Sequence, residues 1–367
     1  MLRTARLALL KTLGALGLDD AAPVTRWRRH RVLILGYHGI SLDDEHHWDS
    51  ELYMPASVLR RRLELIREAG CHVLALDDAV RRMYDDDLPP RSVVLTFDDG
   101  TYDFYARAFP VVQSFGYPAT VYFTTYYAEF NRPVYDAMIS YLLWKGRSRR
   151  LCWPDVLGDT GEITLTDDGR RRARERLHRY PVEHGLNGRD KDALLARLAA
   201  LLDVDYDDIL RRRLLHLMSL SEAGELARRG VDLQLHTHRH RVSYDSAVFD
   251  REIQDNLERL RTLRPSEPTH FCYPGGVNRP EFLPWLRGSN IASATTCEPG
   301  LASRRHDRLL LPRYIDTSTH TDAEFRAWLT GVATLLPRRR QAEATGQFLE
   351  APAASYERST QTVFSSV

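Results

Sequence analysis

Three short runs in this sequence carry side chains whose chemistry would combine if folding brought them together. The first is Thr96-Phe97-Asp98-Asp99-Gly100. Two adjacent carboxylates after an apolar run cannot both point the same way, so one can bind a metal while the other stays free as a base. Alone, Asp-Gly is ordinary turn chemistry. The second run is His236-Thr237-His238-Arg239-His240. Histidines four apart converge on one ion if the chain makes a helical turn, and imidazole suits zinc and its neighbours. With one carboxylate, His236 and His240 would form a His-His-Asp set that leaves coordination positions open for water and substrate. His238, two residues from each, is expected to diverge. The third run is Phe271-Cys272-Tyr273-Pro274-Gly275-Gly276. Its glycines allow close backbone approach to a substrate and offer N–H groups to a developing oxyanion; in isolation it is a turn.

Each run follows an apolar segment of strand length. Val32 to Leu35 reads as a strand leading into Gly36-Tyr37-His38-Gly39. Pro55 opens a helix with Leu59, Leu63 and Ile66 on one face, and Gly70 closes it. Val73–Leu76, Val93–Phe97 and Ala119–Thr124 read as strands, separated by helices over Asp77–Tyr84 and Tyr105–Phe115. Later, Ser219 and Glu222 have capping-box spacing and start a helix that runs to Arg229. Strands Val231–Leu235 and Thr269–Tyr273 flank a helix from about Phe249 to Leu263. Ile291–Thr295 and Leu309–Ile315 are the last strands, and Ala323–Leu329 is the last core helix. This alternation predicts parallel strands covered by helices. In such sheets chemistry gathers at the C-terminal strand ends, where His38, Asp98 and Asp99 and the histidine run all fall.

From about Asn131 to Met218 the pattern changes to arginine-rich segments, RRRARERLHR and RRRLLHLM, with apolar residues at helical spacing. This predicts a helical insertion. Its arginines read first as a solvated helix face, and second as a grip on an anionic carrier such as a lipid- or nucleotide-linked sugar.

The 51 Lys+Arg against 50 Asp+Glu give no global electrostatic case for nucleic acid. The four cysteines, Cys71, Cys152, Cys272 and Cys297, have neither structural-zinc nor disulfide spacing. Residues 1–30 are expected to form an N-terminal amphipathic helical extension, with peripheral membrane contact as the weaker reading. Lys11 interrupts the leader-like apolar run and the following residues make a poor cleavage site, which favours the cytoplasm over a periplasmic or membrane-associated location. No stretch is long and apolar enough to span a bilayer. The core domain is expected over 31–336 and a loose polar tail over 337–367.

In this order, strand–TFDDG, strand–HTxxH and strand–YPGG resemble the polysaccharide deacetylase family (NodB homology, carbohydrate esterase family 4). The resemblance runs roughly from Arg31 to Gly331 apart from the insertion. It implies an α/β fold, an incomplete, distorted (β/α) barrel. It also implies Asp98 as general base, and Asp99, His236 and His240 as ligands of one divalent ion, zinc by preference. Thr237 would brace the ligand loop, and the Gly275 N–H would stabilise an oxyanion beside Tyr273, Pro274 and Gly276 at the substrate. The implied reaction removes N-acetyl groups from N-acetylhexosamine units of a glycan or glycoconjugate, water at the ion attacking the amide carbonyl. De-O-acetylation, hydrolysis of another amide, and a non-catalytic glycan-binding relative are the rival readings.

The sequence also departs from the family pattern. Cys272 stands where many members carry an arginine, and Gly275 where they carry a tyrosine, a pattern similar to the exopolysaccharide-deacetylase branch. Arg313, in Leu311-Pro312-Arg313-Tyr314, either supplies the missing charge or lies on the surface. No Leu-x-His match marks a general acid; His306 and His320 fit no motif, and His38 is taken as the pocket histidine. Cys272 reads as a small buried residue rather than a nucleophile.

Overall fold

The computed structural model describes residues 26–335 apart from 147, 159, 160 and 265. The expected N-terminal extension, with its membrane-contact reading, therefore lies almost wholly outside the described residues, and the 337–367 tail wholly so. Among the described residues no helix is long and apolar enough to cross a membrane.

Twelve strands occur in the described chain: β1 Leu33–Tyr37, β2 Gly39–Ile40, β3 Tyr53–Met54, β4 His72–Val73, β5 Ser92–Phe97, β6 Thr120–Phe123, β7 Arg150–Cys152, β8 Glu162–Thr164, β9 Asp232–Leu235, β10 His270–Cys272, β11 Ser293–Thr295 and β12 Tyr314–Ile315. Seven line up in the order β11-β10-β9-β6-β5-β1-β12, with β4 beside β5. All these pairings are parallel. Every residue of β1, β5 and β6 is buried, as strands covered on both faces require. β4 and β6 share one edge of β5: His72 sits opposite Ser92 at its start and Thr120 opposite Thr96 near its end.

The sheet curls until its ends nearly meet. Leu311 bridges to Thr295 in β11, and three residues later β12 pairs with β1. One irregular stretch thus joins both edges into the incomplete (β/α) barrel that the family resemblance implies. The strand expected over Leu309–Ile315 is broken at Pro312-Arg313, because proline has no N–H for the ladder and the Arg313 N–H goes instead to the Glu298 carbonyl. That break aims Arg313 inward.

The expected helices form with adjusted ends. Ala56–Glu68 buries Leu59, Leu63 and Ile66. Leu220–Arg228 carries the Ser219–Glu222 capping box. Ser246–Arg261 starts before Phe249 because the Asp245 carboxylate caps the N–H groups of Ala247 and Val248. The helix expected over Tyr105–Phe115 opens with a π turn, Phe104–Ala108, directly after the Asp98-Asp99 loop. Such turns are rare and often border functional sites. Just before β1, Arg28 is buried and donates to the carbonyls of Leu329 (3.2 Å) and Ser92 (2.7 Å), pinning the chain under the barrel.

The insertion is helical as expected, with Tyr135–Lys145, Asp167–Glu183, Gly188–Leu201 and Tyr206–Arg211. It also contains an antiparallel hairpin, β7–β8, that the sequence pattern does not announce: each strand has three residues and buries only its central one, Leu151 or Ile163. Its apolar core, including Met138, Leu142, Leu177 and Leu198, is distinct from the barrel's and receives Tyr53 of β3.

Candidate active site

The C-terminal ends of β5 and β9 place Asp99 against two histidines. Asp99 Oδ1 lies 3.2 Å from His236 Nε2 and 3.1 Å from His240 Nε2. The His236 Nδ1 is 2.9 Å from the Cys272 carbonyl at the end of β10. A carbonyl only accepts, so Nδ1 carries the proton and Nε2 turns a lone pair towards Asp99. Asp99 Oδ1 is itself buried and receives no well-formed hydrogen bond among the described residues. Lone pairs converging on a buried carboxylate oxygen need a cation, and the donor atoms lie within 4.8 Å of one another. Without an ion a proton serves. Burial alone would lower the His240 imidazole, yet the Asp99 carboxylate reverses this and raises it. Burial would likewise raise Asp99, but His240 and His236 hold it well below the usual carboxylate range.

Backbone strain builds this cluster. Asp99, Thr237 and His240 all adopt positive φ, at 67°, 62° and 57°, a conformation costly for side chains and most of all for a β-branched threonine. Local bonds offset it. The Thr237 hydroxyl accepts the Arg241 N–H at 3.0 Å, and the Thr237 carbonyl accepts the Thr124 hydroxyl at 2.9 Å. After Asp99 only glycine fits: a Cβ on Gly100 would lie 2.0 Å from the Phe123 ring.

Asp98 turns the other way. Arg313 Nη1 donates to its Oδ1 and Nη2 to its Oδ2, both at 2.7 Å. The arginine is completely buried and further fixed by the Thr296 carbonyl and the Thr96 hydroxyl. It is therefore no surface residue. Burial would raise Asp98, but the Arg313 guanidinium outweighs it and holds the carboxyl down to about 2. Cys272, standing at the family arginine's position, leaves room for this guanidinium with its sulfur 3.0 Å from Nη2. Burial pushes its thiol well above the ordinary range, so it stays neutral and is no nucleophile. His38 Nε2 lies 3.8 Å from Asp98 Oδ2.

Comparison with known proteins agrees with this geometry. Residues 85–142, spanning β5, both aspartates and β6, match the family model described as polysaccharide deacetylase. Over this segment the chain is similar to that family. Over 95 residues it is 32% identical to the poly-β-1,6-N-acetyl-D-glucosamine N-deacetylase of Escherichia coli K12, a match covering 25% of this chain but only 14% of that protein. Among solved structures, the Streptococcus pyogenes deacetylase PplD in complex with acetate superposes with a TM-score of 0.52 at 17% identity, covering 84% of this chain and 99% of that one. IcaB from Ammonifex degensii gives 0.50 at 15% identity, with 82% and 97% covered. At such identities the likeness to the solved structures is one of fold.

Asp98, Asp99, His236, His240, His38 and Gly275 line one cavity of about 990 Å³. The rest of the third motif does not reach it with side chains. Tyr273, expected at the substrate, turns into the core, where it is fully buried and donates its hydroxyl to the Leu309 carbonyl. Pro274 is buried too, and Gly276 packs on Cys297, where a Cβ would meet the cysteine at 2.8 Å. For all three residues the reason is the same: the turn is spent on packing. His238 diverges as expected, bonded to the Thr125 hydroxyl, and burial lowers it to about 3, which keeps it neutral.

One contributor went unnoticed in the sequence, and another was set aside for want of a motif. Asn256 accepts the His236 N–H at 2.9 Å while donating to the Phe123 carbonyl and Thr125 hydroxyl, clamping the end of β9 to β6. Its signal was a polar residue on the apolar face shared by Ile253, Leu257 and Leu260. His320 lines the cavity without any motif and leans on buried Asp316 at 3.3 Å, itself held by Arg62 at 2.8 Å.

Proposed function

We propose that this chain hydrolyses the acetamide of N-acetylhexosamine units in a polysaccharide or glycoconjugate, releasing acetate and a free amine, with one zinc ion held by Asp99, His236 and His240. The observation that carries the reading is the buried Asp98–Arg313 pair set beside that ligand cluster in one cavity. Two imidazoles and one carboxylate are a donor set that suits zinc and leaves coordination positions open. The family match and the acetylated-glucosamine polymer in the E. coli relative's name support the substrate class.

When bound, such an ion supplies Lewis acidity, lowering the pKa of water and polarising the acetamide carbonyl. The protein's own groups do the rest. Asp98, kept ionised and aimed by Arg313, takes the proton of the attacking water. A carboxylate held so low is a weak base and serves only where that water is already acidified. The Gly275 backbone at the cavity wall is the N–H source for the developing oxyanion. His38, beside Asp98, passes a proton to the departing nitrogen as the C–N bond breaks.

The test is acetate release from N-acetylhexosamine oligosaccharides together with metal content. Wild type should hold about one divalent ion per chain, the count of a mononuclear site. Asp99→Ala and His236→Ala should lose ion and activity together. Asp98→Asn should keep the ion and lose activity by roughly 100-fold or more. A fully active Asp98→Asn would refute the base, and acetate release from O-acetyl esters alone would replace the amide substrate.

A further inference from the structure

Most arginines of the insertion's arginine-rich run have backbone or carboxylate partners, and Arg176 is exposed to solvent. Arg170 donates to the Leu143 carbonyl, Arg171 and Arg172 pair with Asp168, and Arg179 pairs with Glu183. Arg174 differs. It lines the active-site cavity, and its Nε donates to His178 Nε2 at 3.3 Å, while His178 Nδ1 is held by Asp136 at 2.9 Å. Its two terminal nitrogens have no partner among the described residues. A half-buried guanidinium anchored through Nε presents a planar fork suited to an oxyanion.

Other cations stand near Arg174. Arg241, one residue beyond the ligand His240, also lines the cavity. Arg241 and Lys191 both act on the Asp136 carboxylate and on each other across this wall. Asp136 thus lies among His178, to which Arg174 donates, Arg241 and Lys191. The other cation on the wall, Arg239, is bound to Glu252 and Asp255. Acidic residues elsewhere along the cavity already have donors: Asp49 accepts the Glu51 and Leu52 N–H groups, Glu51 accepts Thr319, and Glu324 is held in a helix cap by Thr321. At about 990 Å³ the cavity lies at the upper end of the roughly 300–1,000 Å³ range of ligand pockets, which leaves space beyond the reacting acetamide.

We propose that Arg174 binds an oxyanion carried by the incoming glycan, a carboxylate or a phosphate ester, so that the substrate is an acidic or phosphate-bearing glycan rather than a neutral one. This rests on the glycan reading above.

The test uses the full chain in two measurements. Calorimetric titration with inorganic pyrophosphate and with glucuronate should detect binding that weakens as salt rises. Arg174→Gln should weaken it at least about tenfold, the scale of one charge-assisted hydrogen bond, and Arg174→Lys should lose less. Because pyrophosphate also meets any ion in the active site, the wild-type against Arg174→Gln comparison is decisive. Pyrophosphate dependence identifies a phosphate, and glucuronate dependence an acidic sugar. In parallel, kcat/KM for acetate release is compared between a neutral N-acetylhexosamine tetrasaccharide and the same chain carrying a uronic acid or a phosphate. The acidic substrate should be preferred, and Arg174→Gln should shrink that ratio. Equal anion binding by wild type and Arg174→Gln, or no preference for the acidic glycan, overturns the proposal while leaving the deacetylase reading standing. Arg174-dependent anion binding with no acetate released from any glycan would refute the deacetylase instead.

Discussion

At the scale of single residues, the Asp98–Arg313 pair bears on stability as well as on the proposed chemistry. Removing one partner of a buried ion pair strands the other's charge, at a cost of about 3–5 kcal/mol. Arg313→Gln should therefore destabilise the fold by that order and lift the Asp98 carboxyl, because burial is then unopposed. The sign is checkable. With its folded pKa near 2, below an unfolded value of about 3.9, Asp98 stabilises the native state above pH ~4, and that stability is lost as pH falls towards 2. In Arg313→Gln the Asp98 contribution should instead decline as pH rises. Urea midpoints across pH 2–6 decide it, and identical pH profiles for variant and wild type would disprove the pairing's role. Asp98, Asp99, His236 and His240 were legible in the sequence because each lies within a few residues of its strand. The pairing of Arg313 with Asp98 was left open between two readings, since 215 residues separate them and only the return of β12 to β1 brings them together. Tyr273 was misplaced because β10 is buried on both faces, leaving no alternation to say which way its end would point.

At the scale of elements, the site depends on how the loop after β1 is tied to the loop after β5. Asp103 makes that tie, accepting the Ile40 N–H at 3.0 Å and the Thr101 hydroxyl at 2.7 Å through one oxygen. Ile40 lies two residues beyond His38, and Thr101 two beyond Asp99. Burial raises the Asp103 carboxyl to about 7. A raised folded pKa gives stability that is complete below the unfolded value, near pH 4, and lost as pH climbs through 7. Asp103→Asn keeps an acceptor but cannot ionise, so the stability difference between this variant and wild type should shift in the variant's favour as pH rises from 4 to 8. A difference constant across that range would show that Asp103 is ionised throughout. Asp103→Ala cuts the tie and should slow acetate release while leaving metal content intact. The π turn that follows Asp103 and the β7–β8 hairpin were invisible in the sequence for a related reason: both depend on tertiary packing over segments too short to carry a period.

At the scale of the whole molecule, two apolar cores meet over one cavity. The alternating barrel could be read from long buried strands and capped helices. The insertion could be read only as helical, because nothing in its spacing says that Tyr53 of β3 enters its core or that Asp136, Arg174 and Leu215 line one cavity with Asp98 and Asp99. A separate core predicts separable stability. Leu198, fully buried in the helix Gly188–Leu201, should cost about 2–5 kcal/mol on truncation to alanine. That loss should fall on the insertion: amide exchange over 135–211 should accelerate while β1, β5 and β9 stay protected. The proposed ligands Asp99, His236 and His240 lie on the barrel, so ion content should hold. One cavity wall would loosen, so KM for oligosaccharides should rise more than KM for a single N-acetylated sugar. If exchange accelerates equally across the barrel strands, the two cores unfold as one unit and the insertion is part of the catalytic scaffold rather than a wall attached to it.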